Sequence, residues 1–300
     1  MTHPAKPSSG EEPNGGISTR PLTRHIGVEV AGLDLTRPLA DEQVAVIQEL
    51  LFRHTVLIFR DQELTPTDHV RFTRYFGEPE IHPLGQFNLP THPEVVIISN
   101  VFRDGKPIGI YDDNEVEWHV DHAPTPRPSR GSFLFAVKAA EVGGDTLFAA
   151  ADAAFDALPA KTKERVQGLR ARHSTRHLVE ERQKTFKSDN GLKAERARVT
   201  MPDVIHPLVR THPVTGRKSL LIGSLSIAEI VGLAEQEGTA LVQQLLEHMT
   251  QDKFVYRHEW RTHDLVCWDN RTAVHTATPC DRRRYTRVLH RTSVEGDPVT

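Results

Sequence analysis

Short apolar and β-branched runs, separated by turn residues, dominate the chain and predict a mainly β protein. The stretch Ile26–Val30 alternates apolar and polar residues with period two, as a half-buried strand does. Thr55–Phe59 is short, apolar and β-branched, which is typical of a buried strand. Similar runs predict strands at 94–99, 133–137, 145–148, 254–260, 264–268 and 285–294, and a hairpin that joins 208–210 to 220–222.

Helical patterns occur on the N-terminal side of the chain and between the later strands. Asp41 can cap a helix that runs to about His54. Thr65 followed by Pro66 predicts a second helix start, and Gly77 predicts its end. Further helices are expected at 152–158, 161–169 and 235–250. Short strands with helices at one end and as insertions favour a β-sandwich or jelly roll decorated by helices.

Residues 176–201 differ from the rest of the chain, because charged and polar side chains dominate there and apolar residues are sparse. A connection of this length inside a compact domain is usually functional or disordered. Two interpretations stay open, a solvated insertion and a lid over a site. We call this stretch the lid segment.

Composition narrows the class of protein. The chain has 300 residues, of which 38% are hydrophobic and 26% charged, and its net charge is -3. These values predict a soluble globular domain over residues 20–300, after a disordered tail at 1–19, and they argue against nucleic-acid and membrane partners. No apolar run reaches about 18 residues, and the tail has no apolar signal region. Two cysteines form no disulfide framework, which fits the cytoplasm.

The stretch Trp118–Asp121 contains the only His-x-Asp pattern among 17 histidines. On a β-strand, side chains at i and i+2 point to the same face, so His119 and Asp121 would lie side by side. With one distant histidine they would form two histidines and one carboxylate, a set that binds one face of an octahedral Fe(II). Taken alone, the pattern also fits a histidine that is hydrogen-bonded to a nearby carboxylate for structural reasons.

Several further motifs, in order, resemble the taurine dioxygenase / 2,4-dichlorophenoxyacetate dioxygenase family from about Arg20 to Val294. The matching stretches are Ile26–Leu35, Trp118–Asp121, Gly143–Thr146, His206–Pro213, Cys267–His275 and Arg287–Arg291. The resemblance implies a double-stranded β-helix (jelly roll, cupin-like) core with flanking helices. It also implies Fe(II) bound by His119, Asp121 and His275, with 2-oxoglutarate and O2 as co-substrates.

The same resemblance assigns two anion-binding pairs. Thr146 and Arg287 match the pair that holds the distal carboxylate of 2-oxoglutarate, a task that suits the planar fork of arginine. A surface ion pair is the alternative for Arg287. On a strand, however, Arg287 and Arg291 share a face, and two arginines facing a barrel interior call for anions. Arg291 and His82 match the pair that grips the anionic head of taurine. Gly85 replaces a tyrosine of the taurine enzyme, which favours a bulkier acid.

The sequence therefore predicts an Fe(II)- and 2-oxoglutarate-dependent dioxygenase, which hydroxylates a C–H bond of a small sulfonate, sulfate ester or carboxylate and releases succinate and CO2. Family relatives are commonly oligomers, so a homodimer or homotetramer is expected. Desaturation on the same scaffold is an alternative. A zinc hydrolase could use two histidines and an aspartate, but zinc chemistry gives no role to Thr146 and Arg287. A non-catalytic metal-binding barrel would have no need for both anion-binding positions.

Overall fold

The structure is a computed structural model that describes residues 16–82, 85–110, 116–185, 201–223 and 225–299. Most of the predicted tail, residues 1–15, lies outside these ranges, as do residues 186–200 of the lid segment. Within the described residues, no helix is long and apolar enough to cross a membrane.

Two β-sheets form the centre of the molecule. The larger has eight strands, in the spatial order β1 (Ser18–Pro21), β2 (Val28–Ala31), β3 (Val56–Phe59), β17 (Leu265–Asp269), β9 (Gly131–Lys138), β19 (Val288–Val294), β5 (His92–Ser99) and β4 (Asn88–Leu89). The smaller has four, in the order β16 (Val255–His258), β10 (Thr146–Ala150), β18 (Ala273–Ala277) and β8 (Val116–His119). All pairings within them are antiparallel except that of β2 with β3.

Smaller sheets and six described helices surround this centre. The remaining strands are β6 (Phe102–Arg103), β7 (Lys106–Pro107), β11 (Arg170–His173), β12 (Val204–Pro207), β13 (Val209–Thr211), β14 (Lys218–Leu220) and β15 (Ile227–Ile230). The helices are α1 (Asp41–His54), α2 (Pro66–Arg74), α3 (Ala151–Asp156), α4 (Ala160–Gln167), α5 (Thr175–Thr185) and α6 (Glu235–Met249).

The two main sheets pack face to face, because both contribute to one buried apolar cluster. Leu134 and Leu289 of the larger sheet meet Phe148 of the smaller one in that cluster. Helices α1 and α2 cover the outer face of the larger sheet, where Ile47 and Phe72 join the core. The smaller sheet is backed by α3 and α6. The predicted jelly roll with flanking helices is confirmed.

Most predicted elements form, with small shifts at their ends. The helix predicted from Asp41 to about His54 is confirmed, although Ala40 occupies the N-cap and Asp41 is the first helical residue. Thr65 caps α2 as predicted, by accepting a hydrogen bond from the Asp68 backbone N–H. Strand β1 begins at Ser18, two residues before the predicted domain start, because its backbone pairs with β2.

Candidate active site

Two histidines and one aspartate converge between the main sheets. His119 on β8 and His275 on β18 are direct neighbours across the smaller sheet, and their ring centroids are 4.1 Å apart. His119 Nε2 lies 3.9 Å from Asp121 Oδ1, and His275 Nε2 lies 3.9 Å from Asp121 Oδ2. One ligand atom from each residue lies within 4.8 Å of the others, so the three could hold one metal ion. Two imidazoles and one carboxylate suit Fe(II).

Asp121 reaches this point from a turn and not from a strand. Strand β8 ends at His119, and the Ala123 backbone N–H donates to the Val120 carbonyl oxygen at 3.3 Å. The expectation that both side chains share a strand face is therefore wrong, although the residues do converge. His122 follows with a φ of 54°, a left-handed conformation that non-glycine residues rarely adopt.

The charge state of Asp121 suits a metal ligand. Burial alone would raise the pKa of this carboxyl, but Arg291 and the two histidines outweigh burial and hold its pKa far below the ordinary value. Arg291 Nη1 donates to Asp121 Oδ1 at 2.9 Å, and Ser132 Oγ donates to Oδ2 at 2.6 Å. The carboxylate is thus ionised, and each of its oxygens accepts a hydrogen bond.

Both histidines direct Nε2 toward Asp121. Burial, with His119 nearby, lowers the pKa of His275 to about 3, which favours the neutral imidazole that metals bind. His119 Nδ1 donates to the Glu117 carbonyl oxygen at 2.8 Å, so its Nε2 is left as the acceptor that faces Asp121. A hydrogen bond from the ring nitrogen that does not bind the metal commonly orients a metal-binding histidine.

Thr146 and Arg287 are both buried and line the cavity that begins at these three residues. The Trp260 indole N–H donates to Thr146 Oγ1 at 3.1 Å. Asn100 holds the backbone of Arg287 from both sides, since its Oδ1 accepts from the Arg287 N–H at 2.8 Å and its own N–H donates to the Arg287 carbonyl at 3.2 Å. Gly144 makes room for the arginine, because a Cβ there would lie 2.7 Å from Arg287 Cδ.

The cavity has a volume of about 900 Å³, and all seven residues predicted from the sequence line it. Much of the remaining wall is apolar. That wall includes Ile98, Ile110, Leu134, Leu178, Val179 and Met201. The space thus combines a polar end, where the three candidate ligands lie, with a large apolar surface, as small-molecule sites commonly do.

His82 and His122 stand together on the cavity wall, with ring centroids 5.6 Å apart. No sequence motif described above assigns a role to His122. In the structure its Nδ1 lies 2.7 Å from Glu80 Oε2, and Ser129 Oγ donates to Glu80 Oε1 at 2.8 Å. Because the carboxylate can only accept, His122 Nδ1 donates to it.

Described residues of the lid segment line this cavity. Helix α5 contributes Leu178 and Val179 to the wall, and Arg182 Nε donates to Glu117 Oε1 at 2.7 Å. Glu117 lies two residues before His119, so this largely buried ion pair joins α5 directly to the strand that carries a candidate metal ligand.

Three further residues, Ser132, Trp260 and Asn100, contact the site without being predicted from the sequence. Trp260 and Asn100 contact their site residues across 114 and 187 residues of sequence, whereas Ser132 lies 11 residues after Asp121. None of the three carries a local motif of its own. Ser132 lies two residues before Leu134 on β9, and residues at this spacing share a strand face. Because Leu134 lines the cavity, this spacing is the one sequence signal that points to Ser132.

The whole domain is similar to known oxygenases. Residues 18–293 match the model described as "Taurine catabolism dioxygenase TauD, TfdA family". The chain is 36% identical over 297 residues to an alpha-ketoglutarate-dependent 2,4-dichlorophenoxyacetate dioxygenase of Cupriavidus pinatubonensis, with 94% of this chain and 99% of the relative covered. It is 34% identical over 289 residues to an (S)-phenoxypropionate/alpha-ketoglutarate-dioxygenase of Sphingobium herbicidovorans, with 93% and 95% covered. The crystal structure of AAD-2 in complex with Mn(II) and N-oxalylglycine is similar, with a TM-score of 0.77, 32% identity, and 95% and 99% covered.

Proposed function

Because the chain belongs to the taurine catabolism dioxygenase TauD, TfdA family, we propose that it binds Fe(II) through His119, Asp121 and His275 and holds 2-oxoglutarate and a small organic acid in the adjoining cavity. It is a 2-oxoglutarate-dependent dioxygenase, an oxidoreductase that acts on a small molecule. When bound, the iron supplies oxygen activation, which couples conversion of 2-oxoglutarate to succinate and CO2 with hydroxylation of a C–H bond. A zinc hydrolase or a non-catalytic barrel has no use for 2-oxoglutarate, so family membership sets both aside.

Thr146 and Arg287 bind the distal carboxylate of 2-oxoglutarate in this proposal. The indole N–H of Trp260 can only donate, so it occupies a lone pair of Thr146 Oγ1 and leaves the threonine proton free. That proton and the guanidinium of Arg287 can then both donate to a carboxylate. Burial of Arg287 strengthens such a charge-assisted contact.

The guanidinium of Arg291 supports an anionic substrate. Its Nη1 donates to Asp121, while its Nε is buried and has no hydrogen-bond partner among the residues that the structure describes. A buried N–H of this kind calls for an acceptor. An anionic head bound there would lie beside Asp121, so the carbon attached to that head would be the one nearest the metal site. His82, on the same wall, is the proposed second contact.

The apolar wall selects the rest of the substrate. Ile98, Ile110 and Leu178 offer no hydrogen bonds, so the cavity suits an aryl or alkyl body attached to the acid. Both relatives described above act, by their names, on aryl ether acids. We therefore propose a carboxylate with a bulky apolar body, of the aryloxyalkanoate kind, as the primary substrate.

A substrate panel tests this proposal. Succinate formed from 2-oxoglutarate is measured with 2,4-dichlorophenoxyacetate, 2-phenoxypropionate, an alkyl sulfate, taurine and the neutral amide of the best acid. We expect the aryl ether acids to give the highest turnover above the background without substrate. Arg291→Gln should raise their KM by about 10-fold or more, for the loss of one charge-assisted hydrogen bond of about 1.5–3 kcal/mol.

Arg127→Gln is the matched control, since Arg127 lines the same cavity but is largely exposed. Fe(II) affinity is measured in parallel, because Arg291 also contacts Asp121. If the neutral amide reacts as well as the acid and Arg291→Gln leaves KM unchanged, the anionic substrate class is wrong.

The assembly and location of the protein belong to the same proposal. We propose a homodimer or homotetramer in the cytoplasm, without nucleic-acid or membrane partners, in keeping with the net charge of -3. Sedimentation velocity at several protein concentrations tests the assembly, and a monomer at all of them would contradict it.

A further inference from the structure

We infer that Ser132 and Asn270 are positioning residues for the metal site, which hold the carboxylate of Asp121 through a directional chain of hydrogen bonds that starts at Trp268. We call these three residues the carboxylate relay. The inference rests on the proposed role of Asp121 as a metal ligand. It adds two residues that are not themselves candidate metal ligands.

The relay consists of three hydrogen bonds in sequence. Trp268 Nε1 donates to Asn270 Oδ1 at 2.9 Å. Asn270 Nδ2 donates to Ser132 Oγ at 3.0 Å. Ser132 Oγ lies 2.6 Å from Asp121 Oδ2. Each bond has ordinary geometry, and the last has the short length typical of a hydroxyl that donates to a carboxylate.

The direction of the relay follows from the chemistry of its members. An indole N–H can only donate, so the carbonyl oxygen of Asn270 faces Trp268 and its amide NH2 faces Ser132. The serine oxygen thereby accepts a proton from Asn270. Its own single proton is left for Asp121, whose ionised carboxylate can only accept. The orientation of the asparagine amide is thus decided by Trp268.

Burial of the relay residues fixes the direction of these hydrogen bonds. The exposed fractions of Trp268, Asn270 and Ser132 are 1%, 0% and 0%, and that of Asp121 is 4%. Water therefore cannot replace a missing partner, and each unmade bond would cost the desolvation of a buried polar group. The backbone holds the relay as well, since Trp268 and Ser132 are direct partners in the pairing of β17 with β9.

The relay acts on both sides of the candidate metal site. Ser132 holds Asp121 Oδ2, while Arg291 holds Oδ1, so the plane of the carboxylate is set from opposite sides. The Trp268 ring centroid also lies 4.8 Å from that of His275, so the residue that starts the relay packs against a second candidate ligand. A carboxylate that is oriented before the metal arrives binds it more tightly, because less conformational freedom is lost on binding.

Four variants test the relay. Ser132→Ala removes the donor to Asp121, whereas Ser132→Thr keeps the hydroxyl. Asn270→Asp keeps the size of the side chain but replaces the NH2 donor by an acceptor, which draws the serine proton away from Asp121. Ser293→Ala is the matched control, because its hydroxyl lies 3.5 Å from Ser132 Oγ in the same buried layer.

The readouts are anaerobic Fe(II) affinity by calorimetry and the visible ligand-field spectrum of the Co(II)-loaded protein. We expect Ser132→Ala and Asn270→Asp to weaken Fe(II) binding by about 10- to 100-fold, the usual effect of removing an outer partner of a metal ligand. Both should also change the Co(II) spectrum. Ser132→Thr should restore the affinity to within about 3-fold of the wild type, and Ser293→Ala should match the wild type.

Wild-type Fe(II) affinity and an unchanged Co(II) spectrum in folded Ser132→Ala would overturn the relay. Asp121→Ala, measured in the same series, separates this failure from that of the proposed function. If Asp121→Ala loses Fe(II) binding while Ser132→Ala does not, the relay alone is wrong; if Asp121→Ala still binds Fe(II) normally, the ligand assignment is wrong. Should Asn270→Asp fail to fold, the Ser132→Ala and Ser132→Thr pair decides the question.

Discussion

Replacing Gly144 by alanine should weaken 2-oxoglutarate binding by displacing Arg287. Gly144 has a φ of +70°, and a Cβ at this position would lie 2.7 Å from Arg287 Cδ and 2.9 Å from Arg287 Nε. Ordinary van der Waals contact begins at 3.4 Å, so the side chain must withdraw by about 0.7 Å. It cannot do so by moving its backbone, because Asn100 holds the N–H and the carbonyl of Arg287.

The magnitude follows from the contact that is lost. A shift of this size breaks the alignment of a two-pronged guanidinium–carboxylate contact and leaves one hydrogen bond to a charged group unmade, at about 1.5–3 kcal/mol. The Kd for 2-oxoglutarate should therefore rise by about 10- to 150-fold. The free energy of unfolding should also fall by about 1–2 kcal/mol, because alanine is strained at a positive φ.

The assay is an anaerobic titration of the Fe(II)-loaded protein with 2-oxoglutarate, followed by its visible charge-transfer band. Gly105→Ala is the control for backbone strain, because Gly105 has a φ of +74° and nothing lies within 4 Å of its added Cβ. Both variants should lose stability, and only Gly144→Ala should lose 2-oxoglutarate affinity. Fe(II) affinity should be the same in both. Wild-type 2-oxoglutarate affinity in folded Gly144→Ala would refute the role assigned to Arg287.

Three further predictions concern the ligands, the co-substrate and acid stability. Alanine at any candidate metal ligand should abolish Fe(II) binding and succinate formation with an unchanged circular dichroism spectrum, and full activity in any variant would remove that residue from the set. These ligands are His119, Asp121 and His275. Arg287→Ala should weaken 2-oxoglutarate binding by about 2–5 kcal/mol and Thr146→Val by about 1–2 kcal/mol, measured by the same titration; the reverse order would contradict the proposed contacts. Burial lowers the pKa of His69 from 6.5 to about 3, so between these values the unfolded state binds a proton that the folded state does not. The free energy of unfolding should therefore fall by about 1.4 kcal/mol per pH unit on acidification from this residue. Urea unfolding of wild type and His69→Gln at pH 7 and pH 5 checks this. An equal change in the free energy of unfolding between the two pH values in both proteins would disprove it.

Local patterns in the sequence were sufficient for most of the framework. Period-two alternation and β-branched runs predict strands such as β2 and β3, because a strand exposes alternate residues to alternate faces. The Thr65–Pro66 start of α2 is equally local, since a cap and a preset φ act within one turn. The seven candidate site residues were assigned through the resemblance to a known family, and all seven line one cavity.

The lid segment shows the limit of local patterns. Its sparse apolar residues left two interpretations open. The structure adds that Leu178 and Val179 line the cavity and that Arg182 donates to Glu117, contacts that no local pattern predicts.

The tertiary structure alone decided how the site residues are held. Asp121 faces the histidines because a turn directs it there, and no alternation rule anticipates that turn. Ser132 and Asn270 are 138 residues apart in the chain and Thr146 and Trp260 are 114 apart, yet each pair shares a hydrogen bond. Such contacts leave no periodic trace in the sequence, because they depend on which strands become neighbours. Short motifs point to the candidate site residues. The pairing of strands that are distant in sequence brings together the side chains that hydrogen-bond to those residues.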